Sequence, residues 1–380
     1  MKALLINAVC GILSTGNICI DIAHDLEEKG YEVKIAYGRE ACPSEFSDYA
    51  IRIGNKLDVY SHALLSKVLD SRGFGSKYAT RKFLKWADDF DPDLLWLHNL
   101  HDYYINIEML FTWIKARPKM LVKWTQHDCW AITGGCMHFE MSRCEQWKTG
   151  CRKCDKKLLN YRPLIYNTVR NYKKKKELFS NISNMEIIAP SKWLANIFAD
   201  SFLGKYKISV RHNTIDATVF KPTSSDFRKE HALEDRFIIL GVASAWSKAK
   251  GLYDYYELAG MLDNNYKVIL VGLTDKQLSE LPSKILGIKK TNSKQELAEI
   301  YTAADVFLNL TYQDTYPTVN LEAQSCGTPV ITYNTGGSPE SVPVRNVIEQ
   351  GNLQQVFEVL TSRNYETAVI NGTKDERNII

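Results

Sequence analysis

The segment from Asp314 to Glu340 combines the residue types that a site for phosphates and sugar hydroxyls needs. The apolar run 306–310 predicts a strand, and Pro317, after a polar loop, suits the first turn of a helix that ends at Gly327. A helix N-terminus offers free N–H groups and a partial positive charge, which favour a diphosphate. The candidate binding residues here are Thr315, Tyr316, Pro317, Thr318 and Val319.

Two carboxylates flank this predicted helix start. Glu322 lies about 1.5 turns beyond Pro317, where it can accept hydrogen bonds from ribose hydroxyls. Asp314 lies just before the helix and can reach the hydroxyls of a sugar. Taken alone, the segment could also be an ordinary helix start in an α/β domain.

Other candidate residues follow strand-like runs. Lys250, in a loop that also contains Ser244, can neutralise a diphosphate, although a solvated surface lysine is the alternative. His127 follows the run 120–125 and should lie at the carboxyl edge of a sheet, although a lone histidine is more often structural. Gly16 permits close backbone approach, and the absence of G-x-G-x-x-G disfavours a nicotinamide oxidoreductase.

Strand-like and helical runs alternate along the chain, which predicts an α/β fold with parallel sheets. The pattern restarts after residue 205, so we expect two Rossmann-like domains, 1–205 and 206–380, facing each other across a cleft that binds ligands. The polar tail after residue 360 can pack back on the first domain. The predicted strands are 3–9, 31–37, 94–97, 120–125, 185–189, 208–211, 237–242, 267–271, 306–310 and 329–333.

Composition limits the class of protein. Of 380 residues, 45% are hydrophobic and 24% charged, and a net charge of +4 does not indicate nucleic-acid binding. The uncharged stretch 3–20 fits a buried strand, loop and helix better than a signal peptide, and no run approaches a membrane span. The nine cysteines are odd in number and five of them are scattered, which favours a reducing compartment, so we expect a cytoplasmic protein.

The segment 314–340 resembles the acidic-x7-acidic signature of retaining glycosyltransferases with the GT-B fold. The similarity is greatest to glycosyltransferase family 4 of the bacterial polysaccharide-assembly type, which usually has glutamate where this chain has Asp314. Residues 242–251 resemble the family's strand-loop with a Lys-Gly pair, although Ala245 replaces a common arginine. Residues 124–128 and the glycine loop 14–17 are also similar.

This resemblance implies transfer of a sugar, with retention, from a UDP- or GDP-sugar to a hydroxyl of a saccharide acceptor, preferably lipid-linked. No catalytic metal is implied. The implied catalytic residues are His127, Asp314 and Lys250. The implied donor-binding residues are Gly16, Ser244, Ile288, Thr315, Tyr316, Pro317, Thr318, Val319 and Glu322. Ile288 is implied to pair with the nucleotide base through its backbone. The implied acceptor-side residues are Asn17, His98 and His101.

Two other functions stay open at this stage. A GT-B sugar-nucleotide epimerase would act on the donor without an acceptor. A two-lobed ligand-binding protein would have no catalytic activity, but such a protein needs a stronger secretion signal than this chain carries.

Two further clusters have alternative interpretations. Cys136, Cys144, Cys151 and Cys154 could hold a structural zinc ion, but free thiols or disulfides are slightly favoured. The basic groups at 173–176 and at Arg81, Lys82 and Lys85 are best interpreted as solvated helix faces. The alternative is peripheral contact with anionic lipid at the inner face of the plasma membrane.

Overall fold

The computed structural model describes residues 1–152, 154 and 163–368. The chain divides into two compact units, the first spanning Met1–His212 and the second starting at Asn213. Each unit contains one parallel sheet with its own apolar core. Among the described residues, every helix is too short or too polar to span a bilayer.

The first unit is built on a seven-stranded sheet in the order β3-β2-β1-β4-β5-β6-β7. All its strand pairs are parallel. The order reverses between β1 and β4, which is where open α/β sheets bind ligands. The strands are β1 (Lys2–Ile6), β2 (Glu32–Tyr37), β3 (Ala50–Arg52), β4 (Leu94–Leu97), β5 (Leu121–Thr125), β6 (Met185–Ala189) and β7 (Lys207–Val210).

Helices connect these strands. They are α1 (Leu13–Glu27), α2 (Lys56–Leu69), α3 (Lys77–Phe90), α4 (Ile107–Lys115), α5 (Gln146–Thr149), α6 (Thr168–Phe179) and α7 (Lys192–Ala199). Because α1 already begins at Leu13, Gly16 and Asn17 lie in its first turns and not in a loop. A Cβ atom on Gly16 would lie 3.2 Å from the backbone nitrogen of Gly11, so a small residue keeps this turn close to the preceding loop.

The second unit has a six-stranded parallel sheet in the order β10-β9-β8-β11-β12-β13. Its strands are β8 (Phe237–Val242), β9 (Tyr266–Val271), β10 (Ile285–Ile288), β11 (Val306–Asn309), β12 (Val330–Tyr333) and β13 (Val347–Ile348). Its helices are α8 (Phe227–Glu230), α9 (Leu252–Met261), α10 (Asp275–Ser279), α11 (Lys294–Ala303), α12 (Thr318–Ser325) and α13 (Leu353–Ser362).

The α/β fold with two Rossmann-like domains is confirmed, but one strand belongs to a different unit from the one expected. The run 208–211 was assigned to the second domain. As β7 it pairs with β6, with Glu186 opposite Lys207 and Ala189 opposite Val210, and so forms the edge of the first sheet. An edge strand is short and half-exposed, and its sequence does not show which sheet it joins. The polar segment after His212 therefore marks the change of unit more closely than residue 205.

The part of the C-terminal tail that the structure describes belongs to the second unit. The Asn346 side chain donates to the carbonyl of Glu366 at 2.7 Å and accepts from its N–H at 2.8 Å. Packing of the tail on the first domain stays a prediction. Residues 369–380 of that tail lie outside the described residues.

Candidate functional site

Helix α12 begins after a loop that two glycines hold in place. Gly336 has φ +56°, and a Cβ atom there would lie 1.9 Å from the carbonyl oxygen of Asp314. The next residue, Gly337, donates its N–H to the same oxygen at 3.2 Å. Because only glycine permits this close approach, the turn after β12 fixes the backbone of Asp314 directly before the helix.

A buried polar network sets the orientation of α12. The Asn320 amide donates to Ser341 Oγ at 2.8 Å and to Ser338 Oγ at 3.2 Å, and its oxygen accepts from Asn309 at 2.8 Å. One turn later, Gln324 donates to the carbonyl of Ser341 at 2.8 Å. This network was not predicted from the sequence. The signal available was a pair of amides at i and i+4 on the face of a predicted helix that must pack inward.

The structure brings Lys250 and Asp314 together. The lysine ammonium lies 2.7 Å from Asp314 Oδ2, and both side chains are partly exposed. Gly251 makes this approach possible, because its φ is +72° and a Cβ atom would lie 2.1 Å from the carbonyl oxygen of Leu310. The same two loops are joined by a 2.8 Å bond from the N–H of Tyr312 to the carbonyl of Ala249. A cation and a carboxylate are therefore held side by side next to the start of α12.

Glu322 is partly buried on α12 beside α11. The hydroxyl of Tyr301 donates to Glu322 Oε2 at 3.0 Å. Burial raises the pKa of Glu322 above its usual value, although hydrogen bonds from Tyr301 and Thr318 oppose that shift. A carboxylate can accept about four hydrogen bonds, so Glu322 keeps capacity for the hydroxyls of a ligand.

The remaining residues predicted to contact the donor occupy different environments. Thr315, Tyr316 and Pro317 are buried in the loop before α12, and burial raises the pKa of Tyr316 to about 12. Thr318 and Val319 are half-buried, and Ser244 is exposed after β8. The carbonyl of Ile288 accepts from the N–H groups of Gly272 at 2.9 Å and Leu273 at 3.2 Å. Both lone pairs of that oxygen are occupied, so the nucleotide base of a donor bound at the end of β10 would have to contact other backbone groups.

In the first unit, neighbouring strands bring two histidines into contact. His98 follows β4 and His127 follows β5, and His98 Nδ1 lies 2.9 Å from His127 Nε2. The rings are stacked, with centroids 5.2 Å apart. Burial lowers the pKa of His127 to about 4 and the pKa of His98 well below its usual value. At neutral pH both rings are therefore uncharged and share one N–H···N hydrogen bond.

A third histidine next to them has the opposite charge state. His101 Nε2 lies 2.8 Å from Asp128 Oδ2, and Nδ1 lies 3.1 Å from Asp102 Oδ1. Burial lowers the pKa of His101, but the two carboxylates outweigh this effect and raise it to about 10. Burial raises the pKa of Asp128, but His101 outweighs it and the value falls to about 2. Both ring nitrogens of His101 are thus occupied by carboxylates, which makes it a structural ion-pair partner of Asp128.

A buried asparagine links these histidines to the loop after β1. Asn7 lies in an otherwise apolar run, donates to the carbonyl of Val9 at 2.8 Å, and accepts from the N–H of Asn99 at 3.4 Å. It ties the loop that precedes Gly16 and the half-buried Asn17 to the residue next to His98. The role of Asn7 was not predicted, although a polar residue in the apolar run 3–9 is a recognisable signal.

The structure does not support a zinc site at the cysteine cluster. All four thiols are free, and no group of three or more His, Cys, Asp or Glu side chains is placed to hold a metal within residues 1–152, 154 and 163–368. Burial and the neighbouring cysteines of the cluster raise the pKa of Cys136 to about 12, and burial raises that of Cys151 to about 11, so both are protonated thiols at neutral pH. Cys151 instead accepts from the N–H of Gly134 at 3.1 Å.

Comparison with solved structures identifies the fold. Sucrose-phosphate synthase from Thermosynechococcus elongatus superposes with a TM-score of 0.71 at 14% identity, over 98% of this chain and 92% of the other. Anabaena HepE, in its complex with UDP and glucose, gives 0.64 at 15% identity, over 98% and 93%. Residues 223–357 also match the model of the family described as glycosyl transferases group 1. The fold is GT-B, and the residues that match the family model lie in its second unit.

Similar sequences extend the match beyond residues 223–357. The putative colanic acid biosynthesis glycosyl transferase WcaC of Escherichia coli is 26% identical over 266 residues, which cover 66% of this chain and 62% of WcaC. A Campylobacter jejuni N,N'-diacetylbacillosaminyl-diphospho-undecaprenol alpha-1,3-N-acetylgalactosaminyltransferase is 27% identical over 120 residues, 30% of this chain and 31% of that enzyme. The chain thus aligns with less than two thirds of the length of each.

Proposed function

We propose that this chain is a retaining glycosyltransferase that moves a hexose from a UDP- or GDP-sugar to a hydroxyl of a saccharide acceptor. The observation that carries the proposal is the group of residues at the start of α12. A lysine–carboxylate pair, a helix N-terminus and a second carboxylate one turn along the helix lie within one glycosyl transferase domain. These are the groups that a nucleoside diphosphate joined to a sugar requires.

The donor is proposed to bind at these groups as follows. Lys250 and the N–H groups at the start of α12 hold the diphosphate, whose negative charge grows as the bond to the sugar breaks. Asp314 balances Lys250 before the donor binds, and a diphosphate then replaces part of that interaction. Glu322 holds the ribose hydroxyls, with Tyr301 fixing one of its oxygens. Asp314 then accepts a hydrogen bond from a hydroxyl of the transferred sugar.

His127 is proposed to orient the sugar as a neutral hydrogen-bonding group. Its pKa of about 4 makes it unsuitable as a general acid at neutral pH. Rate enhancement would then come from positioning and from stabilisation of charge on the leaving diphosphate. Retention of configuration is proposed from the family resemblance alone.

The acceptor is proposed to be lipid-linked, in the assembly of a bacterial surface polysaccharide or related glycan. The supporting observations are the names of two relatives, one placed in colanic acid biosynthesis and one acting on a diphospho-undecaprenol saccharide. We propose that the enzyme works on the cytoplasmic side of the plasma membrane, which fits its nine free thiols.

A thermal-shift panel of UDP, GDP and ADP tests the proposed donor class. UDP or GDP should raise the melting temperature, because a ligand at about 100 times its Kd stabilises the folded state by about 2.7 kcal/mol. Stabilisation by none of the three would contradict the proposal. Incubation of the preferred donor without acceptor then separates transfer from epimerisation, since an epimerase would convert the donor alone.

A further inference from the structure

Helix α2 buries two polar side chains and exposes several of its large apolar ones. Its fully buried residues are His62 and Ser66. Leu57, Tyr60 and Leu64 recur at i, i+3 and i+7 and are 77%, 69% and 63% exposed. A surface helix of a globular protein normally has the reverse arrangement. Core packing therefore explains Val59 but not Leu57, Tyr60 and Leu64.

The buried polar residues hold α2 in this orientation. His62 Nδ1 lies 2.9 Å from Ser76 Oγ, and the N–H of Gly75 donates to Nε2 at 2.9 Å. Gly75 packs so closely that a Cβ atom there would lie 2.4 Å from the imidazole ring. Rotation of α2 to bury its leucines would break these bonds, so the apolar face is fixed outward by the fold.

The exposed apolar surface continues beyond the helix. The N–H groups of Leu164 and Ile165 donate to the carbonyls of Lys67 and Val68, each at 2.9 Å, so this short segment runs along the end of α2. Both of its side chains are exposed. We call this region the α2 surface; it consists of Leu57, Tyr60, Leu64, Leu65, Leu164 and Ile165.

The exposed charged side chains of α2 are both lysines. Lys56 and Lys67 are exposed and about three turns apart, so both lie along the same edge of the apolar stripe. The helix has one acidic residue, Asp58, which bonds the N–H of Asn55 at 2.9 Å in a capping box. Lysine is depleted in protein–protein interfaces, whereas leucine and tyrosine beside lysine are typical of helices that lie in an anionic lipid interface.

We propose that the α2 surface rests on a membrane that contains anionic lipids. The leucines and Tyr60 enter the boundary between headgroups and acyl chains, and Lys56 and Lys67 contact the phosphates. Membrane binding would bring the enzyme to a lipid-linked acceptor, and only this purpose rests on the proposed function. Lipid binding itself is measured without donor or acceptor, so it can fail independently of nucleotide binding.

The basic run 173–176, noted in the sequence, does not form a comparable surface. Lys174 pairs with Glu108 at 3.1 Å. Lys175 is buried and donates to the carbonyl of Trp130. Its ammonium also lies 4.0 Å from the centroid of the Trp130 ring. Its burial lowers the pKa of Lys175 to about 7. Two of the four lysines are therefore engaged within the unit, and the interpretation of this run as a solvated face was wrong for Lys175.

Co-sedimentation of the full chain with vesicles tests the proposal. Phosphatidylcholine vesicles that also contain phosphatidylglycerol should bind the protein, and pure phosphatidylcholine vesicles should bind it far less. The double variant L57Q/L64Q should lower partitioning about tenfold or more. K56Q/K67Q should lower it about fivefold for each lysine replaced. All four positions are exposed, so the fold and the thermal shift with nucleotide should persist.

Matched controls lie in the second unit. Val344→Gln and Tyr253→Gln change exposed apolar residues, and K276Q/K290Q removes two exposed lysines. These variants should partition like the wild type. The proposal is overturned if the wild type does not bind anionic vesicles, or if the α2 variants bind like the controls. Concentration-dependent dimerisation that L57Q/L64Q abolishes, without vesicle binding, would instead assign the surface to a second copy of the chain.

Discussion

The two units present their candidate ligand groups in different ways. In the second unit, Lys250 and Asp314 are partly exposed and are positioned by backbone turns that need glycine. In the first unit, three histidines are packed together, and neighbouring side chains decide which of them is charged. The comparison indicates that the second unit depends on backbone shape and the first on local electrostatics. Substitutions in the second unit should therefore affect stability and nucleotide binding. Substitutions in the first unit should affect pH dependence or turnover.

The largest expected effect comes from Gly251→Ala. Gly251 has a positive φ, and an added Cβ atom would lie 2.1 Å from the carbonyl oxygen of Leu310. A methyl group therefore forces the Lys250 loop to move. We expect the free energy of unfolding to fall by about 2–4 kcal/mol, measured by urea denaturation.

Gly260→Ala is the matched control in the same unit. Gly260 lies within α9, and a Cβ atom there would meet nothing within 4 Å. Alanine in a helix is favoured over glycine by about 1 kcal/mol, so this variant should be slightly more stable. Equal stability of the two variants would show that the Lys250 loop does not depend on its glycine.

The second prediction concerns Glu322. Replacement by glutamine keeps the size of the side chain and a partner for Tyr301, but removes the charge that strengthens bonds to ribose hydroxyls. We expect nucleotide affinity to fall about 10-fold to 100-fold by titration calorimetry, since hydrogen bonds to charged groups contribute about 1.5–3 kcal/mol. E358Q, at an exposed glutamate of α13, should bind like the wild type. Unchanged affinity in E322Q would remove Glu322 from the ribose site.

The sequence predicted this second unit well because its signals are local. Pro317, Gly327 and the Lys250–Gly251 pair each constrain the chain within a few residues, and the start and end of α12 follow from them. The pairing of Lys250 with Asp314 was not predicted, because it joins loops after different strands. Local signals also decide the start of α11, where Ser293 Oγ accepts from the N–H of Glu296 at 3.0 Å and the Glu296 carboxylate accepts from the N–H of Asn292 at 2.6 Å.

The third prediction uses the opposite pKa shifts in the first unit. The pKa of His101 is raised to about 10, so its contribution to stability is full below about pH 6.5 and is lost as the pH rises towards 10. His127 has a lowered pKa, so its contribution is full above about pH 6.5 and is lost as the pH falls towards 4. The pH range in which each histidine acts is therefore different.

His101→Gln in an Asp128→Asn background separates the two effects. The difference in unfolding free energy between wild type and this variant should shrink from pH 7 to 10, by at most about 1.4 kcal/mol per pH unit. Lys175, with a lowered pKa of about 7, acts in the opposite direction in this range. Because Asp128 raises the pKa of Lys175, the Lys175 contributions of the two proteins differ near pH 7 and cancel at higher pH, where Lys175 is neutral in both. A difference that stays constant with pH would contradict a charged His101.

These charge states could not be inferred from sequence. His98, His101 and His127 were recognised as candidates, but a motif does not show which ring faces a carboxylate and which faces another imidazole. The stacking of His98 on His127 depends on the pairing of β4 with β5. The acceptor-side roles predicted for His98 and His101 stay untested, and their burial favours a supporting function instead.

The smallest expected effect follows from His98 as a positioning residue for His127. Phenylalanine at this position would keep a stacked ring but remove the 2.9 Å hydrogen bond to Nε2 of His127. We expect His98→Phe to lower kcat about tenfold with little change in the donor KM, because the lost bond orients His127 and does not bind the nucleotide. Asparagine reaches the position of Nδ1, so His98→Asn should recover most of kcat. Equal loss in both variants would assign His98 to packing alone, and a raised donor KM would place it in direct contact with the donor.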